Sequence, residues 1–261
     1  MKDLNSVMDR NAKKRLLVAL TLGMLLCYRS TGHAAGIDIP AAVLTKGGYA
    51  LGLEWGLTRR DIKFSDTKIE QRSHRYLAKL SYGLLNRLDL YGIAGATDSR
   101  DDLGFRGNSH PAFGGGIKLL LLKYNDTLIG LTGQAIRFTS SDSDVANIAG
   151  LDMKTSWYEY DMALGISRLI STQVGDGVVY AGVLLSKLNG KLESDFGNNP
   201  SQSAHFKESH PVGLFLGGDL LGGDPDLGDR IRLGVEGRFI TETSVSVKLS
   251  FAFGGTELAK Y

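Results

Sequence analysis

Two stretches near the ends of the chain decide its fold: YALGLEWGLT at residues 49–58 and VSVKLSFAF at residues 245–253. In both stretches, bulky apolar residues alternate with small or polar residues. The bulky set of the second stretch consists of Val245, Val247, Leu249, Phe251 and Phe253. Because successive side chains of a β-strand point to opposite faces, this period of two predicts strands with two unlike faces.

The same alternation continues through the chain between these two stretches. It predicts eight further strands, near residues 69–83, 88–97, 112–124, 127–139, 157–167, 177–189, 211–221 and 231–239. Within residues 178–188 the alternation leaves open which face holds Tyr180 or Lys187. The sequence therefore predicts about ten strands, with eight as the alternative.

The links between the predicted strands alternate in length. Long polar links are predicted near residues 59–68, 98–111, 140–153 and 190–210, and shorter links with turn residues near 84–87, 124–127, 168–176 and 221–229. The short link at residues 240–243 is an exception, because it falls on the side of the long links. In an up-and-down barrel successive links lie at opposite ends, so this alternation places the long loops at one rim.

Glycine distinguishes a membrane barrel from a soluble one. The chain has 34 glycines in 261 residues, about 13 %, where roughly 7 % is usual. A barrel of about ten strands has a narrow interior, so we expect the small residues inside and the bulky ones outside, facing lipid. Aromatic residues near strand ends or on the outward face fit interfacial girdles: Tyr49, Trp55, Tyr76, Tyr82, Tyr124, Tyr158, Phe251 and Phe253. The predicted fold is an all-β, closed antiparallel up-and-down transmembrane β-barrel, and a soluble lipocalin-like barrel is the alternative.

The first 34 residues have the pattern of a cleaved signal peptide. Basic residues 13–15 precede an apolar run at 16–27, and Gly32 and Ala34 occupy the small-residue positions before a cleavage site. Twelve apolar residues are too few to span a bilayer as a helix, which disfavours an uncleaved anchor. Leu26 before Cys27 disfavours a lipid anchor. We predict a signal peptide at 1–34, a barrel domain at 35–254 and a C-terminal tail at 255–261.

Composition excludes several classes of protein. The single cysteine, Cys27, would leave with the signal peptide, so we expect no disulfides, no zinc cluster and no cofactor. Removing six basic and two acidic residues with the signal leaves 30 − 6 = 24 basic and 28 − 2 = 26 acidic residues, a net charge near −2. No basic patch for nucleic acid remains. The spacing of Asp142, Asp144 and Asp152 does not match a calcium-binding loop.

The chain resembles the small bacterial outer-membrane β-barrel proteins, of the type of the outer membrane protein A barrel domain. The resemblance rests on residues 80–83, 88–96 and 248–253 and is a likeness of pattern. It implies a location in the outer membrane, among lipids that include lipopolysaccharide. It also implies recognition of the last strand, through Leu249, Phe251 and Phe253, by the barrel assembly machinery. Because residues 254–261 follow Phe253, either Phe253 or Tyr261 would be the terminal aromatic that is recognised.

Polar residues on the small-residue faces are predicted to lie in the lumen. They are Glu54, Lys79, Lys118, Gln134, Glu159, Asp161, Asp219, Arg232, Glu236, Arg238 and Lys248. Because a buried charge is costly unless it is paired, these groups should form a network of ion pairs and hydrogen bonds. We favour a salt-bridged plug over a narrow ion path.

The predicted function is a structural or surface-interaction role, with at most a narrow pore for ions or small solutes. The alternative is a rim enzyme that acts on lipid A or peptides, like the lipid A deacylases and acyltransferases, which the chain resembles in size, or the rim proteases of the omptin type. Its candidate residues are His110 and His210, each in a Ser-His-Pro sequence, with Asp101 and Asp102 in a neighbouring loop. A histidine beside a carboxylate can act as a general base, although proline is also favoured at strand starts.

Overall fold

The computed structural model describes residues 36–64, 67–102, 104–143, 152–172, 175–195, 202–222 and 230–254. The predicted signal peptide at 1–34 and the tail at 255–261 lie outside the described residues. None of the described residues forms a helix that is long and apolar enough to cross a membrane.

The described residues form eleven antiparallel strands. They are β1 (Tyr49–Phe64), β2 (Thr67–Leu85), β3 (Leu88–Asp101), β4 (Arg106–Tyr124), β5 (Thr127–Ser143), β6 (Asp152–Thr172), β7 (Gly175–Asp195), β8 (Gln202–Glu208), β9 (Val212–Gly222), β10 (Arg230–Phe239) and β11 (Thr243–Phe253). All except β8 form a closed ring of ten, in which β7 pairs with β9 and β11 returns to pair with β1. The predicted closed barrel of ten strands is confirmed.

The outer ends of the strands differ from the prediction. The link predicted at residues 59–68 is wrong: β1 continues to Phe64, and β2 begins at Thr67. The link predicted at 98–111 is likewise occupied in large part by strand ends, and the link at 190–210 contains the end of β7 and β8. In the link at 140–153, residues 140–143 and 152–153 belong to strands, and residues 144–151 lie outside the described residues. The physical reason is visible on β1, where the outward residues become polar beyond Leu57 while Arg60 and Ile62 stay buried inside. Paired strands therefore extend beyond the apolar zone. There the outward residues are polar, so the sequence of these strand ends resembles that of a loop.

Strand β8 explains the short link at residues 240–243. Residues 189–194 of β7 pair with β8, and residues 176–185 of β7 pair with β9, so β8 and β9 follow one another along the same neighbour. The hairpin of β10 and β11 ends closer to the short turns than the neighbouring strands do. Above it, β8 pairs directly with β1, with Ile62 opposite Glu208. The wall thus has ten strands in its main ring and eight in its outer extension.

The outward face carries an apolar belt. On β1 the outward residues from Tyr49 to Leu57 are aromatic or aliphatic, and the next outward residue is Arg59. This run of nine residues is near the 9–11 that cross the hydrocarbon layer at a tilt of about 45°. Large apolar side chains on other strands are also exposed, among them Leu164 at 45 % and Leu216 at 58 %. The predicted bulky outward face is present, but the inner face is not uniformly small, because Phe138, Trp157 and Tyr180 are buried inside the barrel.

The belt predicts how a charge on the outward face affects stability. Leu216→Arg places a guanidinium in the middle of the belt, and we expect it to lower the free energy of unfolding by about 2–4 kcal/mol, because lipid cannot solvate the charge. Asp61→Arg, on the outward face of β1 above the belt, is the matched control and should change stability little. Denaturant unfolding in lipid vesicles measures both, and equal effects would contradict the assignment of the belt.

Candidate functional site

A segment before the first strand fills the lumen from the end that carries the short turns. We call residues 36–45 the plug. Its base is tied to that end, where the Thr45 hydroxyl donates to the Gly254 carbonyl at 3.0 Å. Ile37, Ile39, Ala41 and Ala42 are completely buried and pack against inward residues of the wall, as part of one apolar cluster. The plug is therefore a lumenal segment enclosed by the wall.

Glycines of the wall leave the space that the plug occupies. A Cβ atom at Gly130 would lie 2.3 Å from the Cα of Ala41, and one at Gly83 would lie 2.2 Å from the carbonyl oxygen of Thr45. Such distances are far below van der Waals contact, so any larger residue would displace the plug. The excess of glycine thus serves partly to admit this segment.

Carboxylates of the wall hold the backbone amides of the plug. Glu236 accepts the N–H of Ile37 on Oε1 and the N–H of Asp38 on Oε2, both at 2.7 Å. Glu54 accepts the N–H of Gly36. Nearer the base, Asp89 Oδ2 accepts the N–H groups of Val43 and Leu44, at 2.8 and 3.3 Å. Hydrogen bonds to ionised acceptors are about twice as strong as neutral ones. These carboxylates therefore form a binding site for the extended backbone of the plug.

Two backbone carbonyls and the Asp38 carboxylate of the plug are also paired with the wall. Lys118 Nζ donates to the Ile39 carbonyl at 2.8 Å and lies 3.1 Å from Asp38 Oδ2. Thr132 donates to the Pro40 carbonyl at 2.9 Å. Asp38 has two further cations near it, each at 3.6 Å: Arg232 and Lys248. Asp38 therefore anchors the plug to the wall through charge, while its neighbours do so through the backbone.

A layer of ion pairs lies beyond the tip of the plug. Arg75 makes a two-pronged contact with Glu159, at 3.3 and 3.0 Å, and Arg60 Nη1 lies 3.2 Å from the same carboxylate. Arg238 lies 3.2 Å from Asp161 and 3.2 Å from Glu242. Arg60 also pairs with Glu242. All these groups are buried, and their connections span the lumen.

An apolar layer covers these ion pairs on the outer side. Phe138 and Trp157 stack with ring centroids 5.3 Å apart, and the guanidinium of Arg75 lies 4.3 Å from the Phe138 centroid. Ile62, Leu188 and other buried residues complete the layer. Between the plug and the wall, Glu54, Lys79 and Asp219 help to line a cavity of about 30 Å³, which has room for water. Below its outer rim, the described part of the lumen is thus occupied by plug, ion pairs and apolar side chains, and a cavity of about 500 Å³ lies at the rim beside Asn108, Ser141 and Glu193.

The residues predicted to lie in the lumen all face inward. Lys79 is half-buried, with Nζ 4.8 Å from the Tyr91 centroid, and the others are buried, namely Glu54, Lys118, Gln134, Glu159, Asp161, Asp219, Arg232, Glu236, Arg238 and Lys248. Sequence reasoning missed Arg60, Arg75, Asp89 and Glu242. The alternation on β1, continued past Thr58, would have placed Arg60 on the inner face beside Glu54.

The candidate catalytic residues do not converge. His110 lies on β4, where Nε2 is 2.6 Å from the hydroxyl of Ser141 on β5. His210 is exposed between β8 and β9, and β5, β6 and β7 separate that position from β4. Asp101 accepts the N–H of Phe105 at 3.0 Å, and Asp102 lies 4.0 Å from Arg72. The structure therefore links His110 to a serine and places His210 elsewhere on the wall.

A second histidine pair was absent from the prediction. His74 on β2 has Nδ1 2.8 Å from Asp98 Oδ2, and its backbone N–H donates to Asp98 Oδ1 at 2.6 Å. Asp98 lies where the register of β3 shifts between Thr97 and Ser99. Such an irregularity redirects a side chain, and neither composition nor spacing marked it.

Charges at the outer rim are paired near the surface. Glu70 contacts both Arg59 and Arg72, the latter at 2.7 Å. Burial acts to raise the pKa of Glu70, but hydrogen bonds from Arg72 and Arg59 outweigh it and hold this pKa below its ordinary value. Within the described ranges, no group of three or more His, Cys, Asp and Glu side chains is arranged to hold a metal ion.

Comparison with known proteins identifies the fold and no closer relationship. No family model matches the chain, and neither does any curated protein. Among solved structures, the outer membrane protease OmpT from Escherichia coli is 9 % identical, with a TM-score of 0.50 over 81 % of this chain and 97 % of that one. The translocator domain of the autotransporter NalP from Neisseria meningitidis is 11 % identical, with a TM-score of 0.38 over 93 % of this chain and 98 % of that one. The chain has the fold of bacterial outer-membrane β-barrels.

Because Glu236 binds the backbone of the plug, we predict that its substitution lowers the free energy of unfolding. In Glu236→Gln the plug keeps a hydrogen-bond acceptor, but Lys248 and Arg238 lose their shared carboxylate. We expect the free energy of unfolding to fall by about 1–3 kcal/mol, because one plug N–H loses its acceptor and Lys248 loses its nearest carboxylate, while Arg238 keeps Asp161 and Glu242. Glu193→Gln, at a half-exposed rim carboxylate of β7 that pairs with Lys191 at 2.6 Å, is the control and should be nearly neutral because surface ion pairs contribute little. Denaturant unfolding compares them, and a neutral Glu236→Gln would contradict the proposed anchoring.

Proposed function

We propose that the protein is a sealed outer-membrane barrel with a structural or surface-interaction role and no solute pore. The observation that carries this proposal is the filled lumen, in which the plug, the ion pairs and the apolar layer follow one another along the axis. Of the two interpretations that the lumenal charges allow, a plug of salt bridges agrees with this geometry better than an ion path.

The proposed location is the bacterial outer membrane, reached by export with a cleaved signal peptide. The fold, the apolar belt and the pattern of the first 34 residues support it. Lipids of that membrane, including lipopolysaccharide, would then contact the belt. The last strand also suits recognition by the assembly machinery, since it closes the ring against β1 with Phe253 stacked on Tyr49 at 5.2 Å.

A cysteine-free mature chain offers a direct test of the sealed lumen. Ser246→Cys places a thiol inside the barrel, and Ser203→Cys places one on the exposed part of β8. The protein is extracted from the outer-membrane fraction and treated with a small water-soluble thiol reagent. We expect labelling of Cys at 203 and protection of Cys at 246 until the barrel is unfolded.

Planar-bilayer recording of the wild-type protein provides the second measurement. We expect no conductance steps, because the ion pairs leave no continuous water path. Regular steps, or rapid labelling at position 246 in the folded barrel, would contradict the sealed lumen. Recovery of the protein in the soluble periplasmic fraction would contradict the location.

One observation favours a second function, a rim enzyme that hydrolyses an ester such as those of lipid A. A serine hydroxyl at 2.6 Å from an imidazole nitrogen is the pairing that nucleophilic catalysis requires. Ser141 would be the nucleophile and His110 the general base. The ring of His110 would take the hydroxyl proton as the serine oxygen attacks the carbonyl carbon, and would give it to the alcohol as the ester C–O bond breaks. Water would then release the acyl group from Ser141 as a fatty acid.

His210, which lies far from Ser141 and His110, is the control for this second function. If wild type releases fatty acid from lipopolysaccharide in detergent, Ser141→Ala and His110→Ala should each lower the rate at least about 100-fold, the lower end of what a general base contributes. His210→Ala should leave the rate unchanged. Absence of activity in wild type, or equal loss in all three variants, would eliminate this function.

A further inference from the structure

Three exposed cations lie on the outward face of β5, β7 and β8, at the outer edge of the apolar belt. On β7, Leu185 is the last apolar outward residue, and Lys187 follows it. Arg137 of β5 faces outward in the same zone, and Lys207 of β8 lies opposite Asn189, one outward position above Lys187. Among the described residues, none of the three cations forms an ion pair with a carboxylate.

Two aromatic rings lie between these cations. On β6, Tyr158 stands opposite Arg137 on one side and Asn189 on the other, and Tyr160 stands opposite Lys187. The two rings stack with centroids 6.4 Å apart, and the guanidinium of Arg137 lies 5.5 Å from the Tyr158 centroid. A guanidinium over a ring keeps the N–H groups at its edge free to donate. We call the three cations, the two tyrosines and Asn189 the outer patch.

Outward arginines on the neighbouring strands β1 to β3 differ, because they have acidic partners. Glu70 contacts both Arg59 and Arg72. Arg100 lies 3.5 Å from Asp98. The outer patch instead holds three positive charges and no carboxylate, so its charge is available to an anionic ligand.

The position of the outer patch indicates a lipid headgroup as this ligand. A lipid that packs against the belt has its acyl chains beside the apolar side chains and its headgroup beside the patch. Arginine binds phosphate through two parallel hydrogen bonds, and lysine binds it as a compact charge. The hydroxyls of the tyrosines and the amide of Asn189 can both donate and accept, which suits the hydroxyl groups of a sugar.

The span of the outer patch favours a headgroup with two phosphates. Arg137 and Lys207 lie three strand positions apart, which is about 14 Å at the usual strand spacing. The single phosphate of a phospholipid covers only part of this span. Lipid A, the glycolipid anchor of lipopolysaccharide, carries one phosphate on each sugar of a disaccharide. The patch lies on the side of the long links, which in outer-membrane barrels faces the cell exterior and the leaflet that contains lipopolysaccharide.

We propose that the outer patch binds the phosphorylated disaccharide of lipid A. One phosphate lies at Arg137, and the other lies between Lys187 and Lys207. The sugars lie between the two phosphates, across Tyr158 and Asn189. This proposal rests on the location in the outer membrane proposed above, and it does not depend on whether the lumen is sealed.

Binding of purified lipid A to the delipidated barrel tests this proposal. The full chain is expressed, and the protein is extracted from the outer-membrane fraction and freed of lipid in a neutral detergent. Native mass spectrometry then measures the fraction of barrels that carries lipid A as its concentration rises. A triple variant, Arg137→Gln with Lys187→Gln and Lys207→Gln, should bind lipid A about 100-fold more weakly, because each cation near a charged lipid surface contributes about 5-fold.

The matched control removes three exposed cations from the opposite edge of the belt. Lys46→Gln, Arg87→Gln and Arg168→Gln change the net charge by the same amount, at the end that carries the short turns. This second triple variant should keep the affinity of wild type for lipid A. Heat-modifiable gel migration checks that both triple variants are folded.

Two further ligands distinguish the sources of phosphate. Dephosphorylated lipid A should bind wild type as weakly as the first triple variant binds lipid A. Phosphatidylglycerol, which has one phosphate, should fail to displace lipid A at equal concentration. Displacement by phosphatidylglycerol under that condition, or equal affinities of the two triple variants for lipid A, would overturn the proposal.

The outcomes separate the outer patch from the proposed function. Recovery of the protein in the soluble periplasmic fraction would contradict the location, and with it the proposal. A barrel that is recovered in the outer membrane and binds lipid A equally with and without the three cations would reject only the outer patch. Regular conductance steps would reject only the sealed lumen.

Discussion

The structure depends on one constraint: in hydrocarbon, every backbone N–H and C=O group needs a partner within the protein. Pairing of β11 with β1 over eleven residue pairs, from Tyr49 with Phe253 to Arg59 with Thr243, removes the last free edges of the main ring. Closure gives each strand one face toward lipid and one toward a narrow lumen. The apolar belt and the small inner residues follow from that division, and so does the excess of glycine.

Closure also encloses a lumen, and the backbone groups of the plug that fills it need hydrogen-bond partners there. Apart from a bridge at Leu44, the described backbone of the plug runs through the interior without pairing to a strand, so many of its amide groups need acceptors from side chains. Glu236 and Asp89 supply them, each holding two consecutive N–H groups. These carboxylates need cations in turn, and Lys248, Arg238 and Lys118 provide charge nearby. The ion network is thus the docking site of the plug as well as a filling for the barrel.

Much of the wall could be predicted from the sequence, because a period of two is a local property of consecutive residues. The inward position of Glu159 and Asp161 follows directly from their place among outward residues of β6. The outer strand ends were missed because their outward residues are polar, which imitates a loop. Strand β8 was missed because its pairing with β1 joins residues far apart in the sequence. The contacts of His74 with Asp98 and of His110 with Ser141 depend on cross-strand geometry that spacing does not reveal.

The sequence by itself determined a closed β-barrel with an apolar outward face and with charged residues on the inward face, and it predicted a removable leader. Each of these rests on the order of neighbouring residues. Only the tertiary structure decided that Tyr180 points inward to Glu236 while Lys187 faces outward, and that residues 36–45 fill the lumen. The physical reason is that a segment without its own periodicity acquires a position only from the acceptors, cations and empty space that the closed wall presents to it.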